Sequence, residues 1–122
     1  MKQDKLIKLE NKINNDYKNI AGITVLKDGK IEYENYFNGC NSESTVHVYS
    51  VTSRWKKLNL PYGYLWWLDN DKEHIFSAIG DGGNVIYVNT DKNIVVSIAS
   101  LFEPNVTDRI EFIKEYIEAI FL

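Results

Sequence analysis

The sequence predicts an α+β fold: an antiparallel sheet of roughly five strands, with one helix from each end of the chain packed on the same face. Three observations predict it. Apolar residues recur at helical spacing near both termini, the interior is a succession of short β-branched and aromatic runs, and Gly, Asp and Asn turns separate those runs.

Residues 4–18 place Leu6, Leu9, Ile13 and Tyr17 at steps of three and four with polar residues between, the period of an amphipathic helix. Residues 20–26 and 30–37 are β-rich runs joined through Lys27-Asp28-Gly29, and Asp-Gly between such runs predicts a hairpin. Residues 38–45 read as a loop, and 46–52 lead into Arg54-Trp-Lys-Lys-Leu-Asn-Leu-Pro61. Four further strands are expected at 62–68, 74–79, 84–89 and 94–101, for which a meander is the economical topology. A second helix is expected over 106–122, with Asn105 as N-cap, Asp108 in its first turn and Ile110, Ile113, Ile117 and Ile120 on one stripe. There is no internal repeat and no low-complexity segment.

At 122 residues, 44% apolar and 25% charged, the chain has the make-up of one globular domain, 1–122. A net charge of -3 with dispersed Lys and Arg offers no basic stripe for a phosphate backbone, so no nucleic-acid partner is expected. No run of apolar residues is long enough to span a membrane, and the first residues lead into an amphipathic stretch, not a signal-peptide core. The expectation is a cytoplasmic chain or a mature fragment, with no membrane partner. Cys40 stands alone, so it has no internal disulfide partner. His47 and His74 read as surface or strand-end residues, and no metal or cofactor is expected because no Cys or His cluster has ligand spacing.

Two stretches carry a resemblance. The first is Ile20-Ala-Gly-Ile-Thr-Val-Leu26 through Phe37, followed by His47-Val-Tyr-Ser-Val-Thr52. The second is Pro61-Tyr-Gly-Tyr-Leu-Trp-Trp67, then Ser77-Ala-Ile-Gly-Asp-Gly-Gly-Asn84, then residues 85–96. Together with the element order they resemble the α/β domain of the serine β-lactamase and penicillin-binding protein family, in its class C and esterase-like branch. The resemblance implies a helical domain of well over a hundred residues inserted before the second stretch. Only nine residues lie between Thr52 and Tyr62, so that insert is missing. The chain then divides into 1–52 (helix, hairpin and nucleophile segment), a junction at 53–61, and 62–122 (strands and helix).

By the same resemblance Ser50 matches the nucleophile of the family's Ser-x-x-Lys motif, but Ser53 stands where the lysine base should be. A serine hydroxyl has no useful proton affinity near neutral pH. Lys57 is seven residues from Ser50, roughly 10 Å along a helix axis if the segment were helical, so neither it nor Lys56 is a ready substitute. Tyr49 and Tyr62 are better explained by strand packing than as replacements for the tyrosine the insert would bring. Asp81, Gly82 and Gly83 occupy the place of the family's Lys-Thr-Gly, as substrate-binding residues. The backbone N–H groups of Asn84 and Ser50 then match its oxyanion donors. Read without the resemblance, Gly80-Asp81-Gly82-Gly83 is an ordinary turn before a strand. Asp81 would repel a substrate carboxylate. Trp55, Trp66 and Trp67, with Tyr62 and Tyr64, read as core on one side of the sheet and surface on the other.

The reading is a β-lactamase-like scaffold that keeps its fold and has lost its catalysis, with apolar surface bared near the junction and sheet edge and covered by self-association. One variant exchanges the N-terminal piece between two chains across 53–61. Two rival readings stand beside it. One is a weak serine esterase in which Ser50 is slowly acylated by a small acyl or amide substrate. The other is a binding module that presents its sheet edge or aromatics to a partner, including a helical domain supplied in trans.

Overall fold

The computed structural model describes residues 1–46, 49–50, 62–63, 66–69, 74–103 and 109–122. It begins with α1 (Lys2–Asp16), whose apolar stripe buries Leu9 and Ile13 completely. Removing side chains of that size from water contributes roughly 1.5–3 kcal/mol each. The helix begins two residues earlier than the apolar period suggested and ends at Tyr17, which leaves helical geometry while its N–H still donates to the Ile13 carbonyl at 3.0 Å.

β1 (Ile20–Lys27) and β2 (Lys30–Tyr36) form the expected hairpin. Asp28 (φ 51°) and Gly29 (φ 77°) both adopt positive φ, the type I′ conformation whose twist matches the flanking strands. Two short strands follow, β3 (Tyr49–Ser50) and β4 (Tyr62–Gly63). Then come β5 (Trp66–Asp69), β6 (Ile75–Asp81), β7 (Val85–Asn89) and β8 (Ile94–Ser100).

All strand pairs are antiparallel, in the order β2-β1-β8-β7-β6-β5-β4. Six of these strands have four residues or more, against the roughly five expected. The six match the six β-rich runs of the sequence, and residues 62–68, where one run was expected, add a further two-residue strand: Tyr62 pairs with Trp67 and Gly63 with Trp66, so the run folds back on itself as β4 and β5. β5 to β8 form the expected meander, and the N-terminal hairpin closes it from the far side by laying β1 against β8.

The described part of the second helix has three consecutive segments: α2 (Arg109–Phe112), a π-helical turn (Ile113–Glu118) and α3 (Ala119–Phe121). The expected N-cap Asn105 and first-turn Asp108 lie outside the described residues. Ile110, Ile113 and Ile117 face the core as the stripe required, together with Phe112 and Phe121. Both helices pack on one face of the sheet, against Ile23, Val25, Val85, Tyr87, Val96 and Ile98. Lys5 Nζ donates to the Ala119 carbonyl at 3.0 Å and joins the helices at the surface.

Among the described residues, no helix is long and apolar enough to cross a membrane.

Candidate functional site

β6 runs along two partners on the edge away from β7. Its first half pairs with β5, through Trp67↔Ser77, Leu68↔Phe76 and Asp69↔Ile75, and its end pairs with β3, through Ser50↔Gly80 and Tyr49↔Asp81. The backbone of Ser50 is therefore brought from a distant part of the chain to the start of Gly80-Asp81-Gly82-Gly83. On the other edge, the Gly80 N–H donates to the Asn84 carbonyl at 2.8 Å. Ser50 and Asn84 thus flank Gly80 on opposite sides, two strand spacings or about 10 Å apart.

The turn itself is held from inside. Gly82 (φ 80°) and Gly83 (φ 95°) are both in the left-handed region that glycine tolerates. A Cβ on Gly82 would lie 3.1 Å from the Phe102 ring, and one on Gly83 would lie 3.0 Å from the Arg109 guanidinium. Asn19 Nδ2 donates to the carbonyls of Gly82 (2.9 Å) and Leu101 (3.0 Å), while Arg109 donates to Asn19 Oδ1 at 2.7 Å. The guanidinium also lies over the Tyr17 ring, 4.8 Å from its centroid. Ser100 completes the arrangement: its hydroxyl donates to the Gly83 carbonyl, and its N–H donates to Asn84 Oδ1, both at 2.9 Å. The Asn84 side chain is thus a buried clamp between the turn and β8.

A second polar cluster escaped the sequence reading. Glu118, on the π-helical turn, is buried and accepts from Tyr87 Oη (2.6 Å), Asn89 Nδ2 (3.1 Å) and Lys92 Nζ (3.0 Å). A 3.6-residue period points position 118 away from the stripe of Ile113 and Ile117. The i→i+5 winding places Glu118 one turn above Ile113, on the inner face. The one available clue was a carboxylate directly beside Ile117 in an otherwise apolar stripe.

Midway along α1, Glu10 accepts from Tyr33 Oη (3.0 Å) and Asn35 Nδ2 (2.9 Å), tying the helix to β2. Burial of the phenol, reinforced by its bond to Glu10, pushes Tyr33 up to about 12. At the surface, Asp91 accepts from the His74 backbone N–H at 2.9 Å and contacts His74 Nδ1 at 2.9 Å. These two bonds hold the Asp91 carboxyl below its ordinary range.

The aromatic residues divide across the sheet. Trp67 is buried, and Trp66 meets Phe76 edge to face at 5.1 Å. Trp55 and Tyr64 lie outside the described residues, as does His47. A shallow groove of about 500 Å³ lies between the β1–β2 and β7–β8 turns, lined by Asp28, Thr90, Asn93 and Val95. Among the described residues, no group of three His, Cys, Asp or Glu side chains could hold a metal ion. Compared with family models, curated proteins and solved structures, the chain gives no significant match.

Proposed function

We propose that the chain is a serine β-lactamase-like scaffold, folded without a helical insert and without hydrolytic activity. The pairing of Ser50 with Gly80 carries the reading. It sets the residue that resembles the nucleophile beside the segment that resembles the substrate-binding strand, thirty positions further along the chain. The order of helix, hairpin, C-terminal strands and helix supports the same assignment.

Inactivity follows from chemistry. Ser53 supplies no base to Ser50, and removing the hydroxyl proton is the step that a positioned base must assist. The two candidate oxyanion donors also flank Gly80 about 10 Å apart, whereas donors to a single oxygen must each lie near 3 Å from it. A small acyl or amide compound is the substrate class such a cleft would take if any activity remained. Self-association through exposed apolar surface belongs to the same reading. So does a reducing, cytoplasmic setting, in which Cys40 stays a thiol.

Intact-mass spectrometry after incubation with a fluorophosphonate and with a penicillin tests the proposal, with Ser50→Ala as the control. No Ser50-dependent mass increase is expected. An adduct that disappears in Ser50→Ala would overturn the inactive reading in favour of a slow esterase.

A further inference from the structure

Beyond β2 the chain makes a second turn with the backbone of the first. Asn38 (φ 56°) and Gly39 (φ 79°) repeat the positive φ pair of Asp28 and Gly29, and the Cys40 N–H closes the turn on the Phe37 carbonyl at 3.0 Å. Asn38 is the one asparagine of the sequence that precedes a glycine. The backbone nitrogen after an asparagine can attack the side-chain amide carbon, and a side chain on that following residue hinders the attack. Gly39 has none, and a Cβ built there would find no neighbour within 4 Å. Both residues are exposed, and the Gly39 N–H donates to no described residue. What restrains the amide is a single bond: Asn38 Nδ2 donates to the carbonyl of Ile20, the first residue of β1, at 2.6 Å. Further on, the bonds of Asn41, Glu43 and Ser44 to described residues run among themselves. Opening the turn therefore breaks two hydrogen bonds and leaves Phe37 seated in the core, its N–H on the Ala21 carbonyl at 2.9 Å.

We infer that Asn38-Gly39 is a self-modification site, at which the chain converts the asparagine to aspartate and isoaspartate with water as the only co-reactant. When the turn opens, the Gly39 nitrogen bonds to Asn38 Cγ, the Cγ–Nδ2 bond breaks, and ammonia departs with the proton that Gly39 loses. Water then opens the five-membered imide. Attack at the side-chain carbonyl gives aspartate, and attack at the backbone carbonyl gives isoaspartate, whose main chain runs through Cγ. Both products lose the Nδ2 donor. An aspartate oxygen would face the Ile20 carbonyl, acceptor against acceptor, and the extra methylene of isoaspartate keeps the type I′ turn from closing again. The change is one-way, and it frees the turn from β1. Two neighbours of similar backbone mark what is special here. Asp28-Gly29 carries a carboxylate, a poorer electrophile than an amide, and it is held by Lys27 at 3.3 Å and by the bond from its N–H to the Asn93 carbonyl at 2.9 Å. Asn93 (φ 50°) precedes the fully buried Ile94, whose branched side chain hinders the nitrogen.

Prolonged incubation of the full chain at mildly alkaline pH, followed by anion exchange and peptide mapping by mass spectrometry, tests the inference. An acidic form should accumulate with the mass gain of an amide-to-acid exchange, mapped to Asn38 and resolved into aspartate and isoaspartate, while Asn93 stays intact. Asn38→Gln should abolish that form, because the ring it would need is one atom larger. An Asn38 still intact in the folded chain when a urea-unfolded sample has converted would overturn the inference, as would an acidic form that persists in Asn38→Gln. The structural consequence is read by hydrogen exchange in Asn38→Asp, where the Cys40 amide should exchange roughly tenfold faster, as the loss of one hydrogen bond gives. Unchanged exchange would overturn the claim that Asn38 pins the turn to β1. Far-UV circular dichroism checks that each variant folds, and the acidic form purified from aged wild-type protein gives the same comparison without a substitution.

Discussion

Replacing Glu118 by alanine should damage the second helix as much as truncating one of its buried apolar residues. The carboxylate accepts three hydrogen bonds, and two of its donors, on Tyr87 and Asn89, belong to fully buried residues. A hydrogen bond to a charged group contributes about 1.5–3 kcal/mol, but bonds within one network do not add. Lys92 is partly exposed and can return to water, so its share is small. Losing the two buried bonds then costs about 3–4 kcal/mol, a large part of the 5–15 kcal/mol by which a domain is usually stable. For a chain of this size that lowers Tm by roughly 10–20 °C. Glu118→Gln keeps an acceptor oxygen and should cost only about 1–2 kcal/mol. Urea unfolding followed by tryptophan fluorescence measures both, and a cycle with Tyr87→Phe should show a coupling of about 1 kcal/mol. A Glu118→Ala cost below about 1 kcal/mol, or no coupling to Tyr87, would refute the claim that this network ties the helix to the sheet.

Two further predictions concern the turn and the phenol. Gly83→Ala should cost about 2–3 kcal/mol, because its Cβ adds a contact with Arg109 to the penalty of positive φ, whereas Gly29→Ala meets open space and should cost about 1 kcal/mol. Equal costs in urea unfolding would remove the contact argument. Tyr33 is held neutral to about 12 in the folded chain against an ordinary 10.0, so its contribution to stability is full below pH 10 and lost as pH rises through about 12. Tyr33→Phe should flatten the alkaline fall in stability, and an unchanged alkaline limb would show that other groups cause it.

What the sequence made legible were the local rules. Asp28-Gly29 specified the hairpin because few other dipeptides accept two successive positive φ values. Leu9, Ile13, Ile110, Ile113 and Ile117 specified two helices with a shared buried side, because a stripe at helical spacing must find cover. Non-local facts were not legible. The fold-back of residues 62–68 depends on β6 offering an edge that β5 occupies for three pairs only. The π-helical turn answers to Tyr87 and Asn89, about thirty positions earlier, and no local period registers that pull. No local pattern singles out Arg109, and only the folded chain sets it against Asn19 and the Tyr17 ring.

The glycines at 82 and 83 can be weighed on the same terms. A ligand-binding strand needs glycine where a substrate approaches the backbone, and the need then comes from the open side of the turn. Here the need comes from the protein: Phe102 and Arg109 fill the space a Cβ would take, and both carbonyls are spoken for by Asn19 and Ser100. The two glycines are therefore explained by the fold without any ligand. The backbone of Ser50 is held by the two-residue pairing of β3 with the end of β6. If the scaffold descends from an acyl-transfer fold, that short pairing is its trace, and the serine in place of a lysine at position 53 is what leaves Ser50 silent.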